Sequence, residues 1–484
     1  MLHWLRTRDD AATTYWRALL FAALVLRAGC AHVSGGTVAD APKNVIILFA
    51  DGAASTQWEF GRYSSRYLRD VPFLATDVVM RKGALGLMST YSSDALVTDS
   101  AAAATAMSTG YKTDNDRVSV LPDGRTPQTL MELAKATGKR IGLVSTAPIY
   151  DASPAAFTVH AASRRDAQAI VDAYLAFEPD VLMGGGADYF LPKSRAGGKR
   201  SDGRDVTDLF RQKGYDYARD VHELGRSGDR PLVALFAAED MDAEIDRDPA
   251  QQPSLAQMAS AALRVLSRRS RHGFVLFLEN ENVDNAGHRN DAAALMRELW
   301  AFDAAVKVAL DFQREHPDTL ILVTGDHETG GLSVTNALRD LRVSSHPKWF
   351  YASNTDLDRI ARIDISLDRA AALIGRKPDG ATVDRVVAAH FPGFVLDADL
   401  RAAILEQRLL ERNFGYTTQS ALSRMISRQT AIYWGTTGHT TQPALVGALG
   451  PGADRFRGYM DNTEFATRLK ALLVPRSETA AAAR

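Results

Sequence analysis

The sequence predicts an α/β fold: a large, mostly parallel central sheet with helices on both faces, interrupted late in the chain by an α-helical insertion. Three observations carry this. Short continuous apolar runs recur along the chain, at 45–50, 141–144, 181–183, 232–236, 274–278, 320–323 and 444–446. Such runs are the mark of strands buried on both faces. Amphipathic stretches lie between several of them, at 163–177, 254–270 and 290–312. Alternating buried strands and helices give a parallel sheet. Residues 336–431 differ, being polar, with helical periodicity near 356–374, 382–390, 397–412 and 418–431 and no buried strand.

Taken in order, the chain begins with an export signal. Arg6, Arg8 and Arg17 precede the apolar run Ala18–Leu26. That run is too short to span a bilayer and suits secretion. Cys30 is the single cysteine of the 484 residues. Small residues before it suggest lipoprotein processing, but Arg27 sits where such signals carry an apolar residue, and cleavage after Ala31 is the competing reading. Either way residues 1–30 are a signal peptide and the mature protein is exported to a periplasm or outer surface. No internal disulfide can form. Residues 31–43 read as a linker, 44–335 and 432–475 as the catalytic α/β domain, 336–431 as the helical insertion and 476–484 as a disordered tail. The insertion reads equally as lid, crown, interface or solvated appendage. A composition of 46% hydrophobic residues and a net charge of −1 allow a large core and give no case for nucleic acid recognition.

The first strand ends at Asp51-Gly52. Thr98-Asp99-Ser100 then reads as a helix start, Ala101–Met107 as good helix formers and Gly110 as the stop. Ser100 thereby sits at the positive end of a helix dipole, where an anion or a developing alkoxide is stabilised. Alone, this is an ordinary cap. Thr126-Pro127 starts the next helix and Gly138 ends it. After the strand at 141–144 come Asp151, Ser153, His160 and Arg164. Gly184-Gly185-Gly186 reads as a turn without the spacing of a nucleotide fingerprint, and Glu239–Asp248 as a solvated loop. Glu279, Asp284 and His288 follow the strand at 274–278. Asp326 and His327 follow 320–323, and His439 precedes 444–446.

Ligands of such sheets bind beyond the carboxyl ends of strands. Each of these acids and histidines has a bland reading as a turn, cap or hydrogen-bonded loop residue. Gathered at one edge they are costly unless paired or metal-bound. Mixed Asp and His ligands suit zinc, and all-oxygen sets suit magnesium.

On these residues the chain resembles the bacterial alkaline phosphatase family. The carriers are Asp51-Gly52, Thr98-Asp99-Ser100-Ala101-Ala102-Ala103, Ser145-Thr146-Ala147 with Asp151-Ala152-Ser153-Pro154-Ala155, Pro253-Ser254-Leu255, Glu279 through His288, Thr324 through Gly331, and Gly438-His439-Thr440. They span most of 44–335 and 432–470, leaving the insertion with little support. The resemblance implies a phosphomonoesterase acting through a covalent phosphoserine at Ser100. It implies two zinc ions, one held by Asp284, His288 and His439, the other by Asp51, Asp326, His327 and the Ser100 oxygen. It implies one magnesium ion held by Asp51, Ser153 and Glu279, with Asp151 acting through water. Arg164 would grip phosphate and Asp99 would orient Arg164. Ser153 stands where a threonine is common, and Asn285 lacks the positive charge some relatives carry there.

The chemistry fits independently. Two zincs roughly 4 Å apart can clamp the attacking and leaving oxygens of an in-line displacement. Three divalent ions and Arg164, set against four carboxylates and a Ser100 alkoxide, leave a net charge of about +2. That favours a dianionic monoester over a diester or sulfate ester. A diester offers fewer oxygens to the Arg164 fork, and a sulfatase would need Pro and Arg where Ser100 is followed by four alanines. A phosphate-binding or metal-storing protein without turnover is the reading from another class. The expected partners are small-molecule phosphate monoesters, with a lipid anchor at Cys30 and a homodimer both open.

Overall fold

The computed structural model describes residues 41–268, 270–338 and 349–474. The signal region 1–30 with Cys30, the linker as far as residue 40 and the tail 476–484 lie outside the described residues. Ten strands form the main sheet: β1 (Asn44–Ala50), β2 (Ala84–Ser89), β3 (Arg140–Pro148), β4 (Val181–Gly185), β5 (Asp216–Ala218), β6 (Leu232–Leu235), β7 (Phe274–Asn280), β8 (Thr319–Thr324), β9 (Ala444–Leu449) and β10 (Gly458–Asp461). Their order is β10-β2-β9-β8-β1-β7-β3-β4-β6-β5. All pairs are parallel except those of β9, which runs against β8 and β2. The large, mostly parallel sheet is therefore as the sequence predicts.

Every residue of β1, β7 and β8 is buried. Ile46, Leu48 and Ala50 point into one core, and Val45, Ile47 and Phe49 into the other. This is why these strands read as unbroken apolar runs. Phe49 lies opposite Glu279 on β7 and Thr324 on β8. The register thus brings Asp51 and Asp326 out at one level of the carboxyl edge, with Glu279 two residues lower, inside the end of β7. The reversed β9 brings its amino end, and with it His439, to the same edge.

The structure adds three strands without a continuous apolar run. β2 alternates, with Leu85 and Leu87 exposed, and β5 and β10 are short. The helix expected from Thr126 begins later, as Leu130–Ala136. Thr129 caps it by accepting the Glu132 N–H at 3.1 Å, and Glu132 returns a bond to the Thr129 N–H at 2.8 Å. This reciprocal cap outweighs the Pro signal.

The insertion grows from a two-stranded ribbon in which Ser333 pairs with Tyr433 and Val334 with Ile432. A short antiparallel pair of strands, Asn336–Leu338 with Trp349–Tyr351, comes first. Residues 356–374 form two helices, Asn354–Ala361 and Leu367–Ile374, because Ser366 caps a new start. The helices Gly380–His390, Ala398–Leu405 and Thr417–Thr430 follow. Their apolar faces, including Leu357, Ile360, Leu367, Leu422 and Met425, join the core that holds Ile46 and Leu48. From Pro42 onward the chain is one compact unit. No helix among the described residues is long and apolar enough to cross a membrane.

Candidate active site

The helix Ser100–Thr109 is buried along its whole length, which its run of alanines permits. Asp99 is the N-cap, its Oδ1 accepting the Ala102 N–H at 2.9 Å, and Gly110 closes the far end at φ 88°. Ser100 is the first helical residue. Its Oγ lies 3.2 Å from His327 Nε2. The capping carboxylate is thus next door, and the hydroxyl itself remains free to face the cluster of imidazoles.

Three histidines present the same nitrogen to that cluster. His288 Nδ1 donates to the Thr437 carbonyl at 2.6 Å, and His439 Nδ1 donates to the Thr98 carbonyl at 2.8 Å. His327 Nδ1 lies 3.2 Å from Thr329 Oγ1, whose proton goes to Asp284 Oδ1. Each imidazole thereby carries a proton on Nδ1 and turns Nε2 inward, the arrangement of metal-ligating histidines. His439 and His288 bring their Nε2 atoms within 3.2 Å of each other, and His288 Nε2 lies 2.9 Å from Asp284 Oδ2. His327 stacks on His439 at 3.7 Å between ring centroids.

The carboxylates are as crowded. Asp51, Glu279 and Asp326 are almost wholly buried. Ser153 Oγ donates to Asp51 Oδ2 at 3.2 Å, Ser145 Oγ to Glu279 Oε2 at 2.5 Å, and the Gly52 N–H to Asp326 Oδ1 at 3.3 Å. Asp51 Oδ1, Glu279 Oε1 and Asp326 Oδ2 receive no hydrogen bond. Burial, and then the neighbouring Asp326, Asp284 and Glu279, push Asp51 well above the usual carboxylate range. Burial lifts Glu279 to about 8, against the Ser145 bond, and burial with Asp284 lifts Asp326 to about 7. Burial opposes ionisation of Asp284 too, but His288 outweighs it and holds Asp284 below its ordinary value. Burial would lower His288, yet Asp284 raises it to about 9, whereas burial leaves His327 and His439 depressed.

Three orphaned carboxylate oxygens in a dry cluster call for cations. Among the described residues, two sets of donor atoms come within 4.8 Å of one another: Asp284, His288 and His439, and Asp51, Asp284 and His327. The first is the trio expected from the sequence. The second has Asp284 where Asp326 was expected, although Asp326 Oδ2 lies only 3.2 Å from His327 Nε2. Gly52 makes the crowding possible. It has φ +75°, and a Cβ there would lie 2.8 Å from Asp284 Oδ1 and 2.9 Å from Thr329 Oγ1.

Arg164 stands over the same edge. Its Nη2 donates to Asp151 Oδ1 and Oδ2 at 3.1 and 3.2 Å, and its Nη1 lies 3.5 Å from Asp99 Oδ2. Asp151 and Asp99 thus flank the guanidinium. Against burial, they hold its pKa above the usual arginine value.

Contacts thus join Ser100, Asp51, Ser153, Asp284, His288, Asp326, His327 and His439, while Arg164 with Asp99 and Asp151 forms a second group next to Ser100 along the chain, and Glu279 is held by Ser145. The family model described as alkaline phosphatase matches residues 42–474. The chain belongs to the alkaline phosphatase family. It is 32% identical over 444 residues to alkaline phosphatase 3 of Bacillus subtilis, covering 90% of this chain and 89% of that one. The crystal structure of Thermus thermophilus alkaline phosphatase superposes with a TM-score of 0.80 at 28% identity, covering 93% and 96% of the two chains. The cold-active enzyme of a Shewanella species superposes at 0.70 with 30% identity over 89% of this chain and all of that one. As an alkaline phosphatase family member the chain is a metal-dependent phosphatase, a hydrolase acting on phosphate monoesters.

Within this alkaline phosphatase fold, several residues that touch the site lack a sequence signal of their own. Thr329 reads only as part of a Gly-rich turn, yet its hydroxyl joins His327 to Asp284. Glu328 is fully buried and accepts from Gln57, Gly331, Leu332 and Thr440, tying the His327 turn to the short strand His439–Thr440 that pairs with Glu328–Thr329. Glu281 stands two residues beyond Glu279, and burial with Asp240 and Asp284 pushes it well above the usual carboxylate range. Asn285 donates to Glu281 Oε2 at 2.8 Å, so its amide is engaged along its own helix. His160, also at a strand end, pairs instead with Glu132 and the Ser119 carbonyl. Its role is structural.

Proposed function

We propose that this protein is an exported alkaline phosphatase whose nucleophile is Ser100. The observation that carries the reading is the Ser100 hydroxyl, at the buried start of a helix and 3.2 Å from His327 Nε2. The same nitrogen lies 3.5 Å from Asp51 Oδ1 and 3.2 Å from Asp326 Oδ2, neither of which receives a hydrogen bond, with Arg164 at the same edge. The orphaned oxygens and the inward Nε2 atoms fit two zinc ions and one magnesium ion. Asp284, His288 and His439 would hold one zinc. Asp51, Asp326 and His327 would hold the other beside Ser100, and Asp51, Ser153 and Glu279 would hold the magnesium. When bound, these ions supply positive charge that favours the Ser100 alkoxide, the departing oxygen and an activated water.

The chain's own residues do the rest. The Arg164 fork takes two non-bridging phosphate oxygens, positioned by Asp99 and Asp151. The amino end of the Ser100–Thr109 helix turns its dipole toward the phosphate. Ser100 Oγ attacks phosphorus, the Oγ–P bond forms and the ester O–P bond breaks, with the alcohol taking up a proton. Water then breaks the Oγ–P bond, restoring the hydroxyl and releasing inorganic phosphate. Asp151 would act through water beside the magnesium that Asp51, Ser153 and Glu279 would hold. Export rests on the basic and apolar pattern of residues 1–30, with Cys30 as a lipid anchor or Ala31 as the cleavage point. A homodimer is consistent with the exposed Leu85, Leu87 and Tyr459, which cluster on the β2–β10 edge.

The test compares p-nitrophenyl phosphate, its diester and its sulfate on one preparation with metals quantified. The monoester is expected to be the preferred substrate, and preference for either analogue would overturn the reading. Ser100→Ala is expected to abolish turnover with metal content near wild type. Chelation should stop hydrolysis and zinc with magnesium should restore it; full activity in metal-free protein would sink the metal assignment.

A further inference from the structure

Arg164 is tethered through a residue, Asp116, whose contacts are with Asp99, Ser163, Arg164 and Arg165 and with none of the proposed metal ligands. The Arg164 N–H donates to the Asp116 carbonyl at 2.7 Å. The Asp116 N–H donates to Asp99 Oδ2 at 2.9 Å, and that same oxygen lies 3.5 Å from Arg164 Nη1. Main chain and guanidinium of Arg164 are thus joined in a closed ring through Asp116 and Asp99. The ring also ends at the cap of the Ser100 helix, because the other Asp99 oxygen accepts the Ala102 N–H.

Asp116 makes these bonds at φ +76°, in the left-handed region. Glycine would adopt that conformation without penalty, and aspartate is among the few residues that tolerate it. A strained backbone at such a place points to a side chain with work of its own. Here Asp116 Oδ2 accepts the Ser163 hydroxyl at 2.6 Å, fixing the residue immediately before Arg164. The remaining partner, Arg165, has a side chain 85% exposed and lies 3.5 Å away, a solvated pair of little weight. The loop that carries Asp116 is itself anchored. Val118 and Ala161 exchange two backbone bonds, Ser93 Oγ donates to Asp114, and Asn115 Oδ1 accepts the Asp99 N–H at 2.8 Å.

We propose that Asp116 is a positioning residue for phosphate binding: its left-handed backbone and its bond to Ser163 lock Arg164 against Asp99 before substrate arrives. Its removal leaves Arg164 present and charged, with more conformations to lose when phosphate binds. This rests on the phosphatase reading above, in which Arg164 grips phosphate.

The test uses the metal-loaded full-length protein and inorganic phosphate as probe, measured by calorimetry, with kcat and KM for p-nitrophenyl phosphate alongside. The variants are Asp116→Gly, Asp116→Asn, Ser163→Ala and the double variant Asp116→Gly with Ser163→Ala. Asp116→Gly relieves the backbone strain, so its thermal midpoint is expected to equal or exceed wild type. Its phosphate affinity and KM are expected to worsen by about three- to tenfold, the weight of one hydrogen bond, with kcat nearly unchanged. Asp116→Asn keeps an acceptor for Ser163 and should bind phosphate as wild type does. Ser163→Ala should lose what Asp116→Gly loses, and the double variant should lose no more, because the two act through one bond. Phosphate affinity at the wild-type level in Asp116→Gly and Ser163→Ala, or additive losses in the double variant, would overturn the proposal. A wild-type protein that binds phosphate but turns over no monoester would sink the phosphatase reading instead, and calorimetry on the variants would still decide the role of Asp116.

Discussion

Replacing Thr329 by valine tests the hydrogen-bonded support of the metal cluster without touching a proposed ligand. Thr329 is 1% exposed, and its hydroxyl donates to Asp284 while accepting from His327 Nδ1. Valine fills the same volume, so no cavity opens. The main-chain bonds remain, from Thr329 N to the Gly52 carbonyl at 3.1 Å and from Gln57 to the Thr329 carbonyl at 3.2 Å. What is lost is one bond to a buried carboxylate and the acceptor that fixes the His327 tautomer. No solvent can replace either. A hydrogen bond to a charged group contributes about 1.5–3 kcal/mol. At about 1.4 kcal/mol per factor of ten, the zinc affinity should fall about 10- to 100-fold. The assay is competition for zinc against a chromophoric chelator, with kcat/KM measured at limiting and saturating zinc. Activity is expected to drop at limiting zinc and to recover most of the way at saturation. Zinc affinity within about twofold of wild type would refute the claim that this hydroxyl organises the cluster.

Two further outcomes follow from particular contacts. Gly52→Ala puts a Cβ at φ +75° within 2.8 Å of Asp284 Oδ1, so it should cost about 1–3 kcal/mol of stability and most of the bound metal, seen together by thermal melting and metal analysis. The Glu132–His160 pair should stabilise the fold only in mildly acid solution. The Glu132 bond raises His160, so its contribution is full below about pH 6.5 and is lost as pH rises through the folded value. Glu132, lowered by His160 despite burial, contributes above about pH 4.3 and loses that as pH falls. Glu132→Gln keeps the helix cap but removes the charge. It should lower the melting temperature by about 1 °C near pH 5.5 and by less at pH 8.5; an equal shift at both would contradict the assignment.

The parts of the fold visible in the sequence are those where one physical cause acts alone. β1, β7 and β8 are buried on both faces, so their residues are apolar without alternation. β2 has one face exposed and β5 is three residues long, and neither leaves such a run. The helix at Leu130 was signalled twice, by Thr126-Pro127 and by Thr129 with Glu132, and the reciprocal cap prevailed. Strand order has no local cause at all, since it depends on pairings such as Val446 with Thr324 across the insertion. In the site, carboxylates and histidines are conspicuous because they are costly to bury. Thr329, Asp116 and Glu281 act through geometry that common residue types do not announce.

The reversed strand β9 has a consequence for how the protein is made. It lies between β2 and β8, so until it is inserted the β10–β2 pair has no place in the sheet. It also carries in His439, whose imidazole bonds to the Thr98 carbonyl beside the nucleophile. Both events wait for synthesis to pass the whole insertion. A nascent or truncated chain ending before residue 439 holds the carboxylates, His288 and His327 but not the third histidine, so it cannot complete the trio of Asp284, His288 and His439. Completion of that trio is thereby tied to synthesis past residue 439.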